Sequence, residues 1–243
     1  MRVLIYNIAY ATGAPRKYYD VFLRAHRNLK PTNRHFELLQ TFIADSKPDI
    51  IGLVEVDIGS YRTAFKCQAL KLAEHLNYEA HRSVKYKHLF FKKHLPLFRD
   101  QGNAVLTQKG FNGQFHFLSR GVKRLVIEVD FENFRFFLVH LALSQRIRAK
   151  QLDNLMHLIK KDSRPVIIGG DFNTFKGAQE LKRLAAMLNL KNANTKAVPT
   201  FPSWKPKHQI DYILHSPEIE LKGFFVPNIH LSDHLPIIAD FDL

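Results

Sequence analysis

One short stretch constrains the fold more than any other: an apolar run, Val166–Ile168, followed by Gly169 and Gly170. A run without polar alternation predicts a strand that is covered on both faces of its sheet. Asp171 and Asn173 follow the glycines two residues apart, so in extended chain they point the same way. This pairing suits a hard cation or a polarised water, although Asp, Asn and Gly also favour a simple Asx turn.

Composition narrows the class of protein. The chain has 36 Lys and Arg against 22 Asp and Glu, a net charge of +14, which favours a polyanionic partner such as nucleic acid, an anionic membrane surface or a phosphorylated substrate. Cys67 is the single cysteine, which excludes an internal disulfide and suits a reducing compartment. We find no linker and no stretch of membrane-spanning length, and we expect one domain over residues 1–243 in a cytoplasmic protein.

The order of predicted elements indicates a layered α/β fold. Apolar strands alternate with amphipathic helices in both halves, and Gly110, Gly121 and Glu132-Asn133 punctuate a series of strand hairpins. Two of the predicted helices begin at Ser60, with Phe65 on the apolar stripe, and after Gly177. This mixture predicts two mixed sheets facing each other, with helices outside.

Polar groups recur beside the predicted strands, in six separate segments. They are Asn7, Glu55, His140, the pair Asp171 and Asn173, Asp211, and the pair Asp233 and His234. Each alone has an ordinary explanation, such as a solvated strand end, a core histidine or a turn. Together they indicate a site, because buried carboxylates and histidines that meet at one end of a sheet must pair with each other or bind a metal.

These six motifs, in this order, resemble those of the endonuclease/exonuclease/phosphatase superfamily, in its general bacterial branch. The resemblance runs from Asn7 to His234 and rests on Val-His-Leu at 139–141, Gly-Asp-Phe-Asn at 170–173, Ile-Asp-Tyr-Ile at 210–213 and Ser-Asp-His at 232–234. It implies a four-layer α/β sandwich and a metal-dependent hydrolase of phosphate esters. The implied ion is Mg²⁺, with Mn²⁺ as the alternative.

The resemblance also implies a role for each residue. Glu55 would be the main metal carboxylate, with Asn7 and Asp233 near it. Asp171 and His234 would be alternative acceptors of the proton of the attacking water. Asn173 would hold that water or a phosphate oxygen, and Asp211 would orient His234. His140 would donate to a non-bridging oxygen of the phosphate.

Two basic, aromatic segments, residues 13–27 and 85–99, bear on the substrate. Such segments suit nucleic acid, where cations neutralise phosphates and rings stack on bases, or an anionic membrane surface, or a hairpin whose rings pack on the core. The first hypothesis is therefore a nuclease-type phosphodiesterase. The alternatives are a sphingomyelinase-like lipid or inositol phosphoesterase and a catalytically inactive nucleic-acid-binding protein. We expect a monomer whose contact with membranes, if any, is peripheral.

Overall fold

The computed structural model describes residues 1–14, 33–84, 100–108 and 110–243. The two basic, aromatic segments considered above fall almost entirely on residues 15–32 and 85–99, which lie outside the described part of the chain.

Strands and helices alternate along the described chain as the sequence pattern predicts. The strands are β1 (Arg2–Asn7), β2 (Ile50–Asp57), β3 (Glu79–Val84), β4 (Gln101–Thr107), β5 (Asn112–Phe117), β6 (Leu125–Asp130), β7 (Arg135–His140), β8 (Val166–Asp171), β9 (Lys191–Asn192), β10 (Asp211–His215), β11 (Glu220–Phe225) and β12 (Ile237–Asp242). The helices are α1 (Asn33–Ser46), α2 (Gln68–Leu76), α3 (Gln145–Ile159) and α4 (Lys182–Met187).

The strands form two six-stranded mixed sheets that pack face to face. The first sheet has the order β11-β12-β1-β2-β4-β3 and the second has the order β5-β6-β7-β8-β10-β9. Each sheet contains one parallel pair, β1 with β2 and β7 with β8, among antiparallel neighbours. One apolar cluster fills the space between the sheets, and two others pack α1 and α2 against the first sheet and α3 and α4 against the second. The predicted four-layer α/β sandwich is thereby confirmed.

The two sheets approach closely near the centre of the sandwich. A Cβ atom on Gly52 of β2 would lie 2.6 Å from Ile5 Cδ1, and one on Gly169 of β8 would lie 2.5 Å from the same atom. Ile5 of β1 is thus held between a glycine of its own sheet and a glycine of the facing sheet. The close approach brings the ends of β1 and β2 next to the ends of β7 and β8.

Two helix starts differ from the sequence prediction. Ser60 caps only a 3₁₀ turn, Tyr61–Thr63, and the helix begins at Gln68, so Phe65 is exposed rather than on an apolar stripe. The cause is local: the buried carboxylate of Asp57 accepts hydrogen bonds from the backbone of Gly59 and Ser60, which draws this stretch into a tight turn. After Gly177, a 3₁₀ turn of four residues precedes the short α4.

Candidate active site

Strand topology brings all eight predicted residues to one end of the sandwich. Because β1 and β2 are parallel, Asn7 and Glu55 lie at the same edge of the first sheet, and the loop before β12, which is antiparallel to β1, brings Asp233 and His234 there. In the second sheet, Asp171 pairs in register with both His140 and Asp211.

Backbone geometry turns two of these side chains toward the site. Glu55 lies at a β-bulge in the pairing of β2 with β4 and has a positive φ of 57°. Its backbone amide donates to Asn103 Oδ1 at 3.3 Å. Asn173 also has a positive φ, 53°, and its side-chain amide donates to the carbonyl oxygen of Leu141. Asn tolerates this left-handed conformation better than most residues, whereas Glu at such a position is uncommon.

A buried histidine–carboxylate pair lies at the centre of the cluster. His234 Nδ1 is 2.9 Å from Asp211 Oδ2, and the same carboxylate oxygen accepts a hydrogen bond of 2.5 Å from Thr200 Oγ1. Since Nδ1 is engaged with Asp211, Nε2 is the ring atom that faces Asp171 Oδ2, at 4.0 Å. Phe201 packs on the His234 ring with 4.9 Å between centroids and further limits its motion.

Asp171 connects the two sheets. Its Oδ2 accepts a hydrogen bond from Asn7 Nδ2 at 3.2 Å and lies 3.3 Å from His140 Nε2, while Oδ1 accepts from the backbone amide of Asn173. His140 Nε2 is also 3.9 Å from Glu55 Oε1, across the gap between the sheets. Asp171 is therefore a hydrogen-bonded carboxylate at the junction of both sheets.

Burial and neighbouring charges shift the pKa values of His234, Asp211 and Asp171. Burial alone would lower the pKa of His234, but the carboxylates of Asp211, Asp171 and Asp233 raise it to about 10. Burial raises the pKa of Asp211. Burial alone would also raise the pKa of Asp171, but the contact and charge of His140, together with the charge of His234, hold it well below its usual range.

The nature of the contact between Asn7 and His234 depends on whether the His234 ring is protonated. Asn7 Nδ2 lies 3.4 Å from His234 Nε2, and the orientation of the amide is set because Asn7 Oδ1 accepts from the backbone amide of Ala9. With a protonated ring, two donors meet here, and the distance is a van der Waals contact rather than a hydrogen bond. With a neutral ring, Nε2 is an acceptor and the contact is a long hydrogen bond.

Two neighbouring groups of side chains could hold a cation. One candidate ligand atom from each of Asp171, Asp211 and His234 lies within 4.8 Å of the other two. Asp211 and the Nδ1 atom of His234 are, however, already engaged with each other. Glu55 and Asp233 form a second group, in which burial and the charges of Glu55 and Asp171 raise the pKa of Asp233. Carboxylates crowded in this way fit a hard divalent cation, because such a cation offsets their repulsion and prefers oxygen ligands.

Sequence patterns missed three residues that support the site. Thr200 donates to Asp211, Asn103 contacts the backbone of Glu55, and Lys123 Nζ lies 3.8 Å from Glu55 Oε1. Each belongs to a common residue type in an unremarkable local pattern, so no motif in the sequence distinguishes it.

The segment after His140 is held by a buried arginine. Arg148 of α3 donates to the carbonyl oxygens of Ala142 and Leu143 at 2.8 and 3.0 Å, and its Nη2 lies 2.5 Å from Glu180 Oε2. Because the ion pair is almost fully buried, the guanidinium fixes the path of the chain where β7 ends. His140 is thus supported from behind by α3.

Fold and site together define a class: a two-sheet α/β sandwich with an acid–base cluster at one end. A sequence model of the Endonuclease/Exonuclease/phosphatase family matches residues 6–234. The chain belongs to this family, whose members are hydrolases that act on phosphate esters. The family assignment confirms the resemblance identified from the six motifs.

Solved structures share the fold at low identity. The mannosyl-6-phosphatase Bt3783 of Bacteroides thetaiotaomicron is 16% identical with a TM-score of 0.74, and each chain is covered completely. The human Nocturnin catalytic domain with bound sulfate anion is 22% identical with a TM-score of 0.70, over 100% of this chain and 94% of that one. Truncated TDP2 of Caenorhabditis elegans is 17% identical with a TM-score of 0.66, over 100% and 97%.

A curated protein is similar over part of its length. UPF0294 protein VP2298 of Vibrio parahaemolyticus is 29% identical over 133 residues, which are 52% of this chain and 42% of that protein.

Within the described ranges, no helix has the length and apolar character needed to cross a bilayer.

Proposed function

We propose that this protein is a divalent-metal-dependent phosphodiesterase of nuclease type, acting through a water activated by the Asp171–His234 cluster. The observation that carries the proposal is the buried His234–Asp211 pair, whose other ring nitrogen, Nε2, faces a second buried carboxylate, Asp171. A histidine oriented by one carboxylate and facing another suits proton transfer at a phosphate ester.

Asp171 is the better placed of the two candidates to accept the proton of the attacking water. The carboxylates of Asp211, Asp171 and Asp233 raise the pKa of His234 above its usual value, which favours a protonated ring that acts as a donor. Asp171 is ionised near neutral pH, and its oxygens already accept from Asn7 and Asn173. In this proposal Asp211 orients the ring, and His140 and Asn173 donate to phosphate oxygens, where negative charge builds in the transition state.

The metal ligands in this proposal are Glu55 and Asp233, with Mg²⁺ preferred and Mn²⁺ as the alternative. Asn7 would join them only through the second lone pair of Oδ1, because that oxygen already accepts from the backbone amide of Ala9. Crowded carboxylate oxygens support an oxygen-preferring ion, and Glu55 is held toward the site by its bulge. A cation bound there would polarise the phosphoryl group and stabilise the leaving oxygen. Asp171, Asp211 and His234 remain the acid–base groups rather than ligands, because Asp211 is occupied by His234 and Thr200.

Nucleic acid is the preferred substrate class. The net charge of +14 favours a polyanion. Aromatic rings also lie beside the catalytic histidine: Phe201 contacts His234, and the partly exposed Phe175 packs on Phe201 with 5.9 Å between centroids. A lipid or inositol phosphate is the alternative, because a charged headgroup uses the same phosphate chemistry.

The single free cysteine and the family match over 6–234 support a cytoplasmic protein with one domain.

The test is Mg²⁺-dependent nicking of supercoiled plasmid by wild type and three variants purified identically. His234→Ala and Asp211→Asn should each lower the rate by about 10²–10⁴-fold, the usual contribution of a positioned acid–base group. His157→Ala, which removes an exposed histidine from α3, is the matched control and should retain the wild-type rate.

A second substrate separates the alternatives. Nicking by wild type that is lost with His234→Ala supports a nuclease, and binding to DNA should then fall steeply with salt through counterion release. No nicking, with hydrolysis of bis-p-nitrophenyl phosphate retained, would refute the nuclease and favour lipid or inositol phosphates. No hydrolysis of either substrate would refute the phosphodiesterase proposal itself.

A further inference from the structure

Lys123 is a basic residue at the mouth of the site that none of the six motifs contains. It lies in the loop that precedes β6, in the second sheet, and its ammonium is 3.8 Å from Glu55 Oε1, in the first sheet. The side chain is 22% exposed, so the ammonium stands at the boundary between the carboxylate cluster and solvent. At 3.8 Å the contact is longer than a charge-assisted hydrogen bond, which measures roughly 2.7–2.9 Å. The ammonium is therefore not tightly bound to Glu55.

The loop that carries Lys123 is firmly held. Gln151 of α3 is completely buried, and its Nε2 donates to the carbonyl oxygens of Arg120 and Lys123 at 2.8 and 2.6 Å. The Oε1 atom of the same side chain accepts from the backbone amide of Ala142 at 2.8 Å, in the segment that follows His140. One amide thus ties the Lys123 loop to the end of the strand that carries His140.

Packing under the same loop is equally close. Gly121 has a φ of +90°, and a Cβ atom there would lie 2.9 Å from both Gln151 Nε2 and Ile147 Cγ2. The loop therefore rests directly on α3 and has no room for a side chain at this position. A partly exposed lysine on a loop held this rigidly is suited to a defined contact with a ligand rather than to a solvated surface.

We propose that Lys123 binds a non-bridging oxygen of the substrate phosphate and that Gln151 is the positioning residue that holds Lys123 in place. The proposal deepens the phosphodiesterase function and rests on it. An ammonium serves phosphate as a compact point charge with three donors. Glu55 Oε1 lies 3.8 Å from Lys123 Nζ and 3.9 Å from His140 Nε2, so a phosphate oxygen held by Lys123 would lie near the proposed acid–base groups.

The experiment measures phosphate binding as well as turnover. Inorganic phosphate is titrated into wild type, Lys123→Met and Lys123→Arg by calorimetry with Mg²⁺ present, and hydrolysis of bis-p-nitrophenyl phosphate is measured in parallel. Loss of one charge-assisted contact should weaken phosphate binding by about 10- to 100-fold and raise KM similarly, and kcat should fall as well, because the negative charge on a non-bridging oxygen builds in the transition state. Lys123→Arg should restore most of the affinity.

The matched control is Lys160→Met. Lys160 is an exposed lysine that follows the C-terminal end of α3, roughly 20 Å along the helix axis from the end nearest the site. Lys160→Met removes the same charge as Lys123→Met. It should change phosphate affinity and KM by less than about twofold, since Lys160 is separated from the site by more than the Debye length. Equal effects of Lys123→Met and Lys160→Met would overturn the proposal, because they would report net charge alone.

Gln151→Met tests the positioning role. It should raise KM in the same direction, and Gln151→Met combined with Lys123→Met should be no worse than Lys123→Met alone, since both act through one ammonium. Additive effects would refute positioning. If Gln151→Met does not fold, Lys123→Met decides the central claim by itself. Unchanged phosphate affinity and KM in Lys123→Met would refute the role of Lys123, whereas lack of hydrolysis by wild type would refute the phosphodiesterase function instead.

Discussion

Gly170, which immediately precedes Asp171, should be intolerant of any side chain. It has a φ of +145°, and a Cβ atom there would lie 1.9 Å from the carbonyl oxygen of Val139 in the neighbouring strand β7. Cβ atoms essentially never approach another heavy atom closer than 3.0 Å, so Gly170→Ala must separate the two backbones by about 1 Å. Val139 and Gly170 are paired in register, and the next pair along is His140 with Asp171.

The magnitude follows from two contributions. A left-handed backbone conformation costs an alanine about 1–2 kcal/mol. Weakening the buried ladder between β7 and β8 adds roughly another 2–3 kcal/mol, because each buried backbone group left without its partner costs about 1–3 kcal/mol. Gly170→Ala should therefore lower the free energy of unfolding by about 3–5 kcal/mol, or the melting temperature by roughly 6–20 °C for a chain of this size.

Gly110→Ala is the matched control. Gly110 also has a positive φ, +97°, but a Cβ atom there would meet nothing within 4 Å among the described residues. It should cost only the conformational part, about 1–2 kcal/mol. Urea unfolding followed by circular dichroism measures both variants. If Gly170→Ala is as stable as Gly110→Ala, the inference of a backbone collision is wrong.

Three further predictions concern stability and metal binding. Arg148→Met leaves a buried carboxylate and two carbonyl oxygens without their donor and should lower the free energy of unfolding in urea by about 3–5 kcal/mol, and a loss under 1 kcal/mol would contradict this. Burial alone would raise the pKa of Glu128, but hydrogen bonds with His116 and Arg135 lower it. The unfolded chain therefore binds the Glu128 proton more tightly than the folded chain does, so the contribution of Glu128 to the free energy of unfolding is complete above about pH 4.5 and is lost as the pH falls through the folded pKa. Glu128→Gln should therefore reduce the loss of stability measured between pH 6 and pH 3. At a Mg²⁺ concentration of a hundred times Kd, the free energy of unfolding of wild type should rise by about 2.7 kcal/mol, and the melting temperature should rise with it. Glu55→Gln should abolish this increase, and an increase retained in the variant would exclude Glu55 as the main ligand.

Much of the site was predictable because strand order in space follows simple rules. Polar residues that directly follow apolar runs lie at the ends of strands, and parallel neighbours end at the same edge of a sheet. The pairing of Asp171 with His140 shows this rule at work in the second sheet. The facing sheets were predicted separately, from the mixture of strand–helix units and strand hairpins in both halves of the chain.

Other features depended on tertiary contacts that no local pattern contains. Lys123 reaches Glu55 from the opposite sheet, and only the packing of the sheets shows that the two are neighbours. The helix predicted from Ser60 failed because Ala64 and Phe65 both adopt left-handed conformations, with φ of 50° and 62°, which end the helical path before Gln68. The apolar spacing from Ala69 onward was sound, and the error lay in extending it back to Phe65.

The packing of Ile5 links the core of the sandwich to the proposed chemistry. The side chains that meet at the site come from both sheets: Asn7 and Glu55 from the first, His140 and Asp171 from the second. Their separations of 3.2 to 3.9 Å exist only if the sheets stay at one fixed spacing. Ile5 lies two residues before Asn7 on the same strand, and its Cδ1 atom occupies the space that a Cβ atom on either Gly52 or Gly169 would need. Because close-packed interiors deform little, this contact helps to hold the spacing of the sheets two residues from Asn7, whose side-chain amide donates to Asp171.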